Sequence, residues 1–236
     1  ALTVVNIVDL ESYLRGVVPL ELGMRGTDVL EALKAQAVAA RSYTLATIGR
    51  WRERGFDLYG SVEDQAYGGV DAERPHVSEA VAETVGEVAF FEDSPIRAFY
   101  CSTCGGQTSG PEEAWGDAAL PYLIGIRDRG RGEDRAFCSD SPRFHWSEQW
   151  TGSQFDAMLD GSLPRLRPRW SRARFGRLLG AEIRTRFDSD RVSCLRLRFE
   201  RDHVDLVGDE IRWALRSAEK GVGLPSCLLR EVRCRV

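Results

Sequence analysis

ESYLRGVVPLELGMRGTDVLEALKAQAVAARSY, residues 11–43, decides how the first half of this chain is built. It holds one carboxylate, Glu21, in a short stretch bounded by Pro19 and Gly23, and then runs into a long helical pattern. Val29, Leu30, Leu33, Ala37, Ala40, Thr44, Ile48 and Trp51 recur at helical spacing. Asp28 with Glu31 three residues on makes a capping-box-like start, and Gly55 suits the position just past a helix end. The spacing predicts a central helix over about residues 28–54, roughly 40 Å long at about 1.5 Å per residue. Ala37, Ala39 and Ala40 would let other backbone approach it closely, and Lys34, Gln36 and Arg41 form a polar set of the kind that faces a site.

Working outward, the β-branched Thr3 to Val8 reads as a strand. Asp9 can cap a short helix through Arg15 with Gly16 as its stop, which leaves Glu21 in a tight turn. Downstream, Gln65 to Gly69 is an extended piece, His76 to Val85 a second helix, and Glu87–Phe91 with Ile96–Tyr100 a hairpin. A small-residue loop, CSTCGGQTSG at 101–110, follows, then one helical turn at Glu112–Trp115 and a short strand at Leu123–Ile126. Gly130–Arg143 reads as a surface loop, Trp146–Leu159 as strand then helix, and Arg165–Arg174 as a basic loop. Strands are expected at Ala181–Phe187, Val192–Phe199 and His203–Val207, a turn and short helix over Gly208–Leu215, and a closing strand from Cys227 to Val236. The expected fold is α+β: one two-lobed domain over residues 1–236, with a long central helix, mixed or antiparallel strands and a substrate groove.

Composition narrows the function. A hydrophobic fraction of 43% and a charged fraction of 29% are those of a globular protein. With 36 acids against 32 bases the chain lacks the basic excess of a general nucleic-acid binder. Lys34 and Lys220 are its only lysines among many arginines, which makes Lys34 conspicuous. No apolar run is long enough to span a membrane. The chain opens directly in LTVVNIV with no signal-peptide pattern, as a trimmed or mature protein does, so its compartment is not read from its start.

Three constellations could carry chemistry. Glu21 has apolar neighbours in Val18, Pro19, Leu20, Leu22 and Met24. A carboxyl partly removed from water holds its proton longer and can serve as acid and then base; the plain alternative is a solvated turn residue. Lys34 and Arg41, seven residues apart, share a helix face and could hold Glu21, bind an acidic or hydroxyl-rich substrate, or reach solvent. Cys101, Cys104, Cys138 and His145 offer a zinc ligand set of a short chelate plus two distant ligands. The CxxC could instead be a redox pair, or all four ordinary residues. Gly105-Gly106-Gln107-Thr108 lacks the lysine ending of a phosphate loop, and no Ser/His/Asp set is readable around His76, His145 or His203. Trp115, Tyr122, Trp146 and Trp150 could stack on sugar rings, with core packing expected for at least two.

LESYLRGVVPLEL, EALKAQAVAARSY, DQAYGG, FYCSTCGGQTSGPEEAWG and PYLIGIRD follow one another in order. Together they resemble the SpoIID family, the stage II sporulation protein D and LytB-like amidase-enhancer domain, through about residue 150. The resemblance implies a lytic transglycosylase, a lyase that cuts peptidoglycan glycan strands stripped of their stem peptides. It places the catalytic acid on Glu21, and substrate-binding roles on Lys34, Arg41, Gln65, Ser102 and Thr108. It implies zinc near the last of these motifs, which supports a structural ion at Cys101, Cys104 and Cys138, and no cofactor for the chemistry itself. It further implies an extracytoplasmic protein of sporulation or wall remodelling, with glycan strands and a cell-wall amidase as the partners to expect. A non-catalytic wall-binding module that enhances an amidase is the alternative it also implies. The chain departs from the family pattern where many relatives have histidine at the place of Cys101, in the linker Gly23-Met24-Arg25-Gly26, and in an expected insertion over residues 152–174.

Overall fold

Asp9 caps the first helix, α1 (Leu10–Leu22), by accepting a hydrogen bond from Ser12 N at 3.0 Å. The helix does not stop at Gly16, as the sequence suggested, but runs through it and through Pro19 to Gly23, whose φ of 81° ends it. Gly16 serves a close approach instead: a Cβ there would lie 2.6 Å from the ring of Tyr67. Glu21 therefore sits in the last helical turn rather than in a loop.

The computed structural model describes residues 3–23, 29–216 and 221–234, and divides into two units, residues 1–102 and 103–236. The expected cap Asp28 and most of the departing linker lie outside the described residues. Helix α2 (Leu30–Thr47) is shorter than the periodicity implied, because Ile48 turns extended and the chain re-coils as a 3-10 turn, Arg52–Arg54, closed by Gly55 at φ 86°. Thr3–Val8 forms no strand; Val4 and Ile7 stand exposed, and no described strand pairs with them. β-branched composition favours a strand only where a neighbouring strand supplies the ladder and packing. Helix α3 (Pro75–Glu83) starts on a proline, whose missing N–H is harmless in the first turn. The expected hairpin shrinks to β1 (Phe90–Phe91) and β2 (Ser94–Pro95), turning through Glu92 at φ 52°. Leu14, Val17 and Val18 of α1, Leu33, Ala37 and Ala40 of α2, and Val77, Ala80 and Val81 of α3 form one fully buried cluster. Each Val or Leu there contributes about 1.5–3 kcal/mol by leaving water.

The second unit holds α4 (Pro111–Ala114), α5 (Gly152–Leu166), α6 (Arg172–Phe175), β3 (Leu178–Arg186), β4 (Val192–Phe199), β5 (His203–Val207) and α7 (Glu210–Ala214). The strands form an antiparallel sheet in the order β3-β4-β5, with Ile183 opposite Leu195 and Leu195 opposite Leu206. Leu195, Leu197 and Leu206 pack with Leu159 and Leu163 of α5 and Ile211 of α7, and Trp146 and Trp150 lie against this core. A capping box between Thr151 and Gln154 starts α5, inside the stretch read as an insertion. Leu123–Ile126 is not a strand; only a bridge between Gln107 and Arg127 forms beside it. The closing segment is also irregular through Cys234, with Arg235 and Val236 outside the described residues, and Cys227 O accepts from Val192 N at 2.9 Å. Helices with separate antiparallel sheets bear out the α+β class. No helix among the described residues is long and apolar enough to cross a membrane.

Candidate functional site

The site of the first unit is built where an irregular segment crosses the end of α1. Asp64 anchors the start of that segment. Its buried carboxylate accepts from Trp51 Nε1 and Tyr59 N, both at 2.8 Å, and from Tyr43 Oη and Arg50 Nη1, both at 3.3 Å. Further on, Gly68 N donates to Gly16 O at 3.1 Å. A side chain at Gly68 would meet Ala72 Cβ at 2.7 Å and Leu20 Cδ1 at 3.0 Å, so only glycine lets the two backbones run this close. Between these anchors, Ala66 N donates to Glu21 Oε1 at 2.6 Å. Glu21 is half-buried and makes no ion pair among the described residues.

Gln65 lies beside that contact and is fully buried. Its Oε1 accepts from Tyr100 Oη at 2.8 Å, and its Nε2 donates to Thr44 Oγ1 at 2.8 Å and Tyr13 Oη at 3.3 Å. Burial pushes the Tyr13 phenol up to about 12, and raises Tyr100 as well, with the Glu21 charge adding to both. Both phenols are therefore neutral hydrogen-bonding groups at ordinary pH. Sequence reading missed them, although Tyr13 stands inside the quoted LESYLRGVVPLEL and Tyr100 directly precedes CSTC.

The two helix cations go elsewhere. Arg41 is buried and grips Glu11 through Nε at 2.9 Å and Nη2 at 2.7 Å, while Nη1 donates to Glu87 O at 3.1 Å. Lys34 pairs with Glu31 at 2.8 Å and Glu83 at 2.6 Å, and these bonds raise its amine above the usual lysine value. The two share a face of α2, as spacing implied, but that face meets α3 and the start of α1 rather than Glu21. Lys34 lines an open groove of about 620 Å³ with Glu31, Glu83, Glu87, Val38 and Ile96, and Glu21 does not line it. The side-chain nitrogen of Gln36 is buried without a partner among the described residues. Ser102 is exposed.

In the second unit, Thr108 is spent on backbone: its Oγ1 accepts from Ile126 N at 2.9 Å. Cys104, Asp128 and Cys138 bring their ligand atoms within 4.8 Å of one another. Cys104 Sγ lies 3.0 Å from Asp128 Oδ2 and 3.6 Å from Cys138 Sγ, and burial pushes its thiol up to about 12. Two thiols and a carboxylate at this spacing suit a zinc ion. Here the structure differs from the expected ligand set. Asp128 joins the cysteines because its backbone bridges two loops, its N donating to Gly106 O and its O accepting from Phe137 N. His145 is exposed with its ring edge against Phe144. Cys101 is exposed too, at the end of the first unit. The signal for Asp128 was its place closing PYLIGIRD.

Comparison with known proteins places this geometry. The chain is 36% identical over 124 residues to an uncharacterized protein of Brachyspira hyodysenteriae, covering 52% of this chain and 33% of that protein. It is 33% identical over 143 residues to the amidase enhancer of Bacillus subtilis, 61% of this chain and 17% of the relative. It is 29% identical over 174 residues to stage II sporulation protein D of the same organism, 66% of this chain and 48% of the relative. The chain thus spans less than half the length of each of these relatives. Residues 1–91 match the family model described as stage II sporulation protein, SpoIID, so the resemblance read from the ordered motifs is shown over the stretch that holds Glu21, Lys34, Arg41 and Gln65.

Proposed function

We propose that this protein is a peptidoglycan lytic transglycosylase acting outside the cytoplasm on glycan strands, with Glu21 as acid and then base. The observation that carries the reading is the isolation of Glu21: one half-buried carboxyl, held at Oε1 by Ala66 N–H, with no ion-pair partner among the described residues. Asp64 is the other carboxylate whose charge reaches Tyr13, and its two oxygens are taken by four donors. An ordinary glycosidase needs two working carboxylates, one for the leaving oxygen and one for water or the anomeric carbon. An intramolecular transfer needs one.

In that reaction protonated Glu21 gives its proton to the oxygen linking N-acetylmuramic acid to N-acetylglucosamine, and the bond from that oxygen to the anomeric carbon breaks. The 6-hydroxyl oxygen of the same muramic acid bonds to the anomeric carbon, and its proton returns to Glu21. The products are a 1,6-anhydromuramic end and a free N-acetylglucosamine hydroxyl; no water is consumed. Anchoring Oε1 leaves Oε2 to carry the transferred proton. Where zinc is bound, Cys104, Cys138 and Asp128 would hold it, and its role is to tie loops of the second unit together.

The test is digestion of denuded glycan strands with mass spectrometry of the ends. Anhydromuramic ends made by the wild type and lost in Glu21→Gln are expected. The name of the Bacillus amidase enhancer favours a second reading, a wall-binding module without cleavage. Wild-type protein that binds strands, leaves them intact and raises the rate of an added amidase would establish that reading instead.

A further inference from the structure

Gln65 carries a buried amide bonded on both its oxygen and its nitrogen, and the chemistry proposed for Glu21 does not use it. Its carbonyl oxygen and amide nitrogen are held from three parts of the chain: Tyr13 on α1, Thr44 on α2, and Tyr100 after the hairpin. Thr44 is fixed in turn, its hydroxyl donating to Ala40 O at 2.8 Å. Both N–H donors of the amide are used, and the side chain has no exposed surface. A sugar hydroxyl could reach this amide only by displacing one of these partners.

The peptide that follows Gln65 is the one whose N–H meets Glu21. A peptide unit is planar, so its N–H direction is set by the two residues that flank it. Asp64 fixes the chain just before, and the Gly68–Gly16 hydrogen bond fixes it just after. Tyr67 N donates to Gly60 O at 3.3 Å and holds the residue after Ala66; Gln65 is the side chain that holds the Gln65–Ala66 peptide itself, in a stretch with no regular hydrogen-bond ladder.

We propose that Gln65, clamped by Tyr13 and Tyr100, is a positioning residue that aims the Ala66 N–H at Glu21 and so orients the catalytic carboxyl. This rests on the role proposed for Glu21, and it replaces direct substrate binding as the task of Gln65. Tyr13 and Tyr100 act through Gln65, so their hydroxyls, and not only their rings, are required.

Two measurements on the full chain separate this inference from the reading beneath it. The first needs no activity. In amide NMR spectra the Ala66 proton is expected far downfield and to move as pH is lowered, a movement that Glu21→Gln abolishes. Tyr100→Phe and Gln65→Ala are expected to shift that resonance upfield and to remove its pH dependence, while the Gly68 amide stays in place. An Ala66 resonance unchanged in folded Tyr100→Phe would overturn the proposal, and that milder variant keeps the test open if Gln65→Ala fails to fold. The second is kinetic. Tyr13→Phe, Tyr100→Phe and Gln65→Ala are expected to lower kcat by about 10- to 100-fold at near-constant KM, the order of loss that misplacement of a reacting group produces. A raised KM with kcat and the Ala66 resonance intact would make Gln65 a substrate contact and sink the inference. Wild type that cleaves nothing removes the transglycosylase reading, and the NMR result then still decides whether Gln65 orients Glu21.

Discussion

Arg41 holds Glu11 with two parallel hydrogen bonds, 2.9 and 2.7 Å long, from a guanidinium that is only 1% exposed. The pair ties α2 to the first turn of α1, and the third arm on Glu87 O adds the segment after α3. Glu11→Ala strands the buried Arg41 guanidinium, so it is expected to cost about 3–5 kcal/mol of stability. Arg41→Ala, which leaves the partly exposed Glu11 behind, should destabilise by less, and the double variant by less than the sum of the two. Urea unfolding measures all three. Arg41→Ala with wild-type stability would show that the pair is not structural, and would return Arg41 to the substrate role that the family resemblance implies.

The close crossing of residues 66–69 over α1 depends on two glycines. An added methyl at Gly16 meets the Tyr67 ring at 2.6 Å, and one at Gly68 meets Ala72 and Leu20. Overpacking of this kind costs about 1–3 kcal/mol. Gly16→Ala and Gly68→Ala should each lower the thermal midpoint and, by lifting the segment from α1, disturb the Ala66–Glu21 contact. Gly161→Ala is the control: it lies inside α5 with nothing near its missing Cβ, and should stabilise by up to about 1 kcal/mol. Equal behaviour at all three positions would refute the crossing as the cause.

Much of this was legible in the sequence, and the rest was hidden for identifiable reasons. Periodicity located α2 and α3, and alternation placed β4 and β5 to the residue, because these elements bury one face and say so. Gly16 read as a stop because glycine usually ends helices; its real reason, room for Tyr67, is a contact between residues far apart in sequence. Thr3–Val8 had strand composition but met no strand among the described residues to pair with. Lys34 and Arg41 were correctly placed on one face, yet their partners on the other helices, Glu83 and Glu11, were invisible until three helices were packed together. Gln65 was legible as a motif residue and illegible as a buried one. Asp128 escaped because a search for zinc ligands looks first to cysteine and histidine.

Alkaline stability follows from the buried phenols. Tyr13 is pushed up to about 12 by burial, from an ordinary value near 10, and Tyr100 is raised too. The folded state thus keeps protons that the unfolded chain loses. Stability that is complete below about pH 10 is expected to fall as pH climbs towards about 12, because there the unfolded state binds fewer protons than the folded one. Tyr13→Phe should flatten that decline while lowering stability at neutral pH. Denaturation midpoints taken across the alkaline range, with phenolate absorbance as a second probe, check it. A decline of the same steepness in Tyr13→Phe and Tyr100→Phe would assign the alkaline loss to other groups.

Metal removal tests the second unit separately from Glu21. Cys104, Cys138 and Asp128 present three donors to one point, and a structural ion there would contribute binding free energy directly to folding. Protein purified with zinc is expected to carry about one ion per chain, to melt lower after chelation, and to recover on adding zinc. Cys104→Ser and Asp128→Ala should each lose the ion, whereas His145→Ala should keep it, since that ring is exposed and packs on Phe144. Elemental analysis alongside thermal melts reads both outcomes. Zinc retained by Asp128→Ala but lost from His145→Ala would restore histidine to the ligand set and show that the loop carrying Asp128 only neighbours the metal. Because the chemistry proposed for Glu21 uses no metal, metal-free protein that is still folded should keep anhydromuramic product formation; its loss without unfolding would tie the two units together in catalysis.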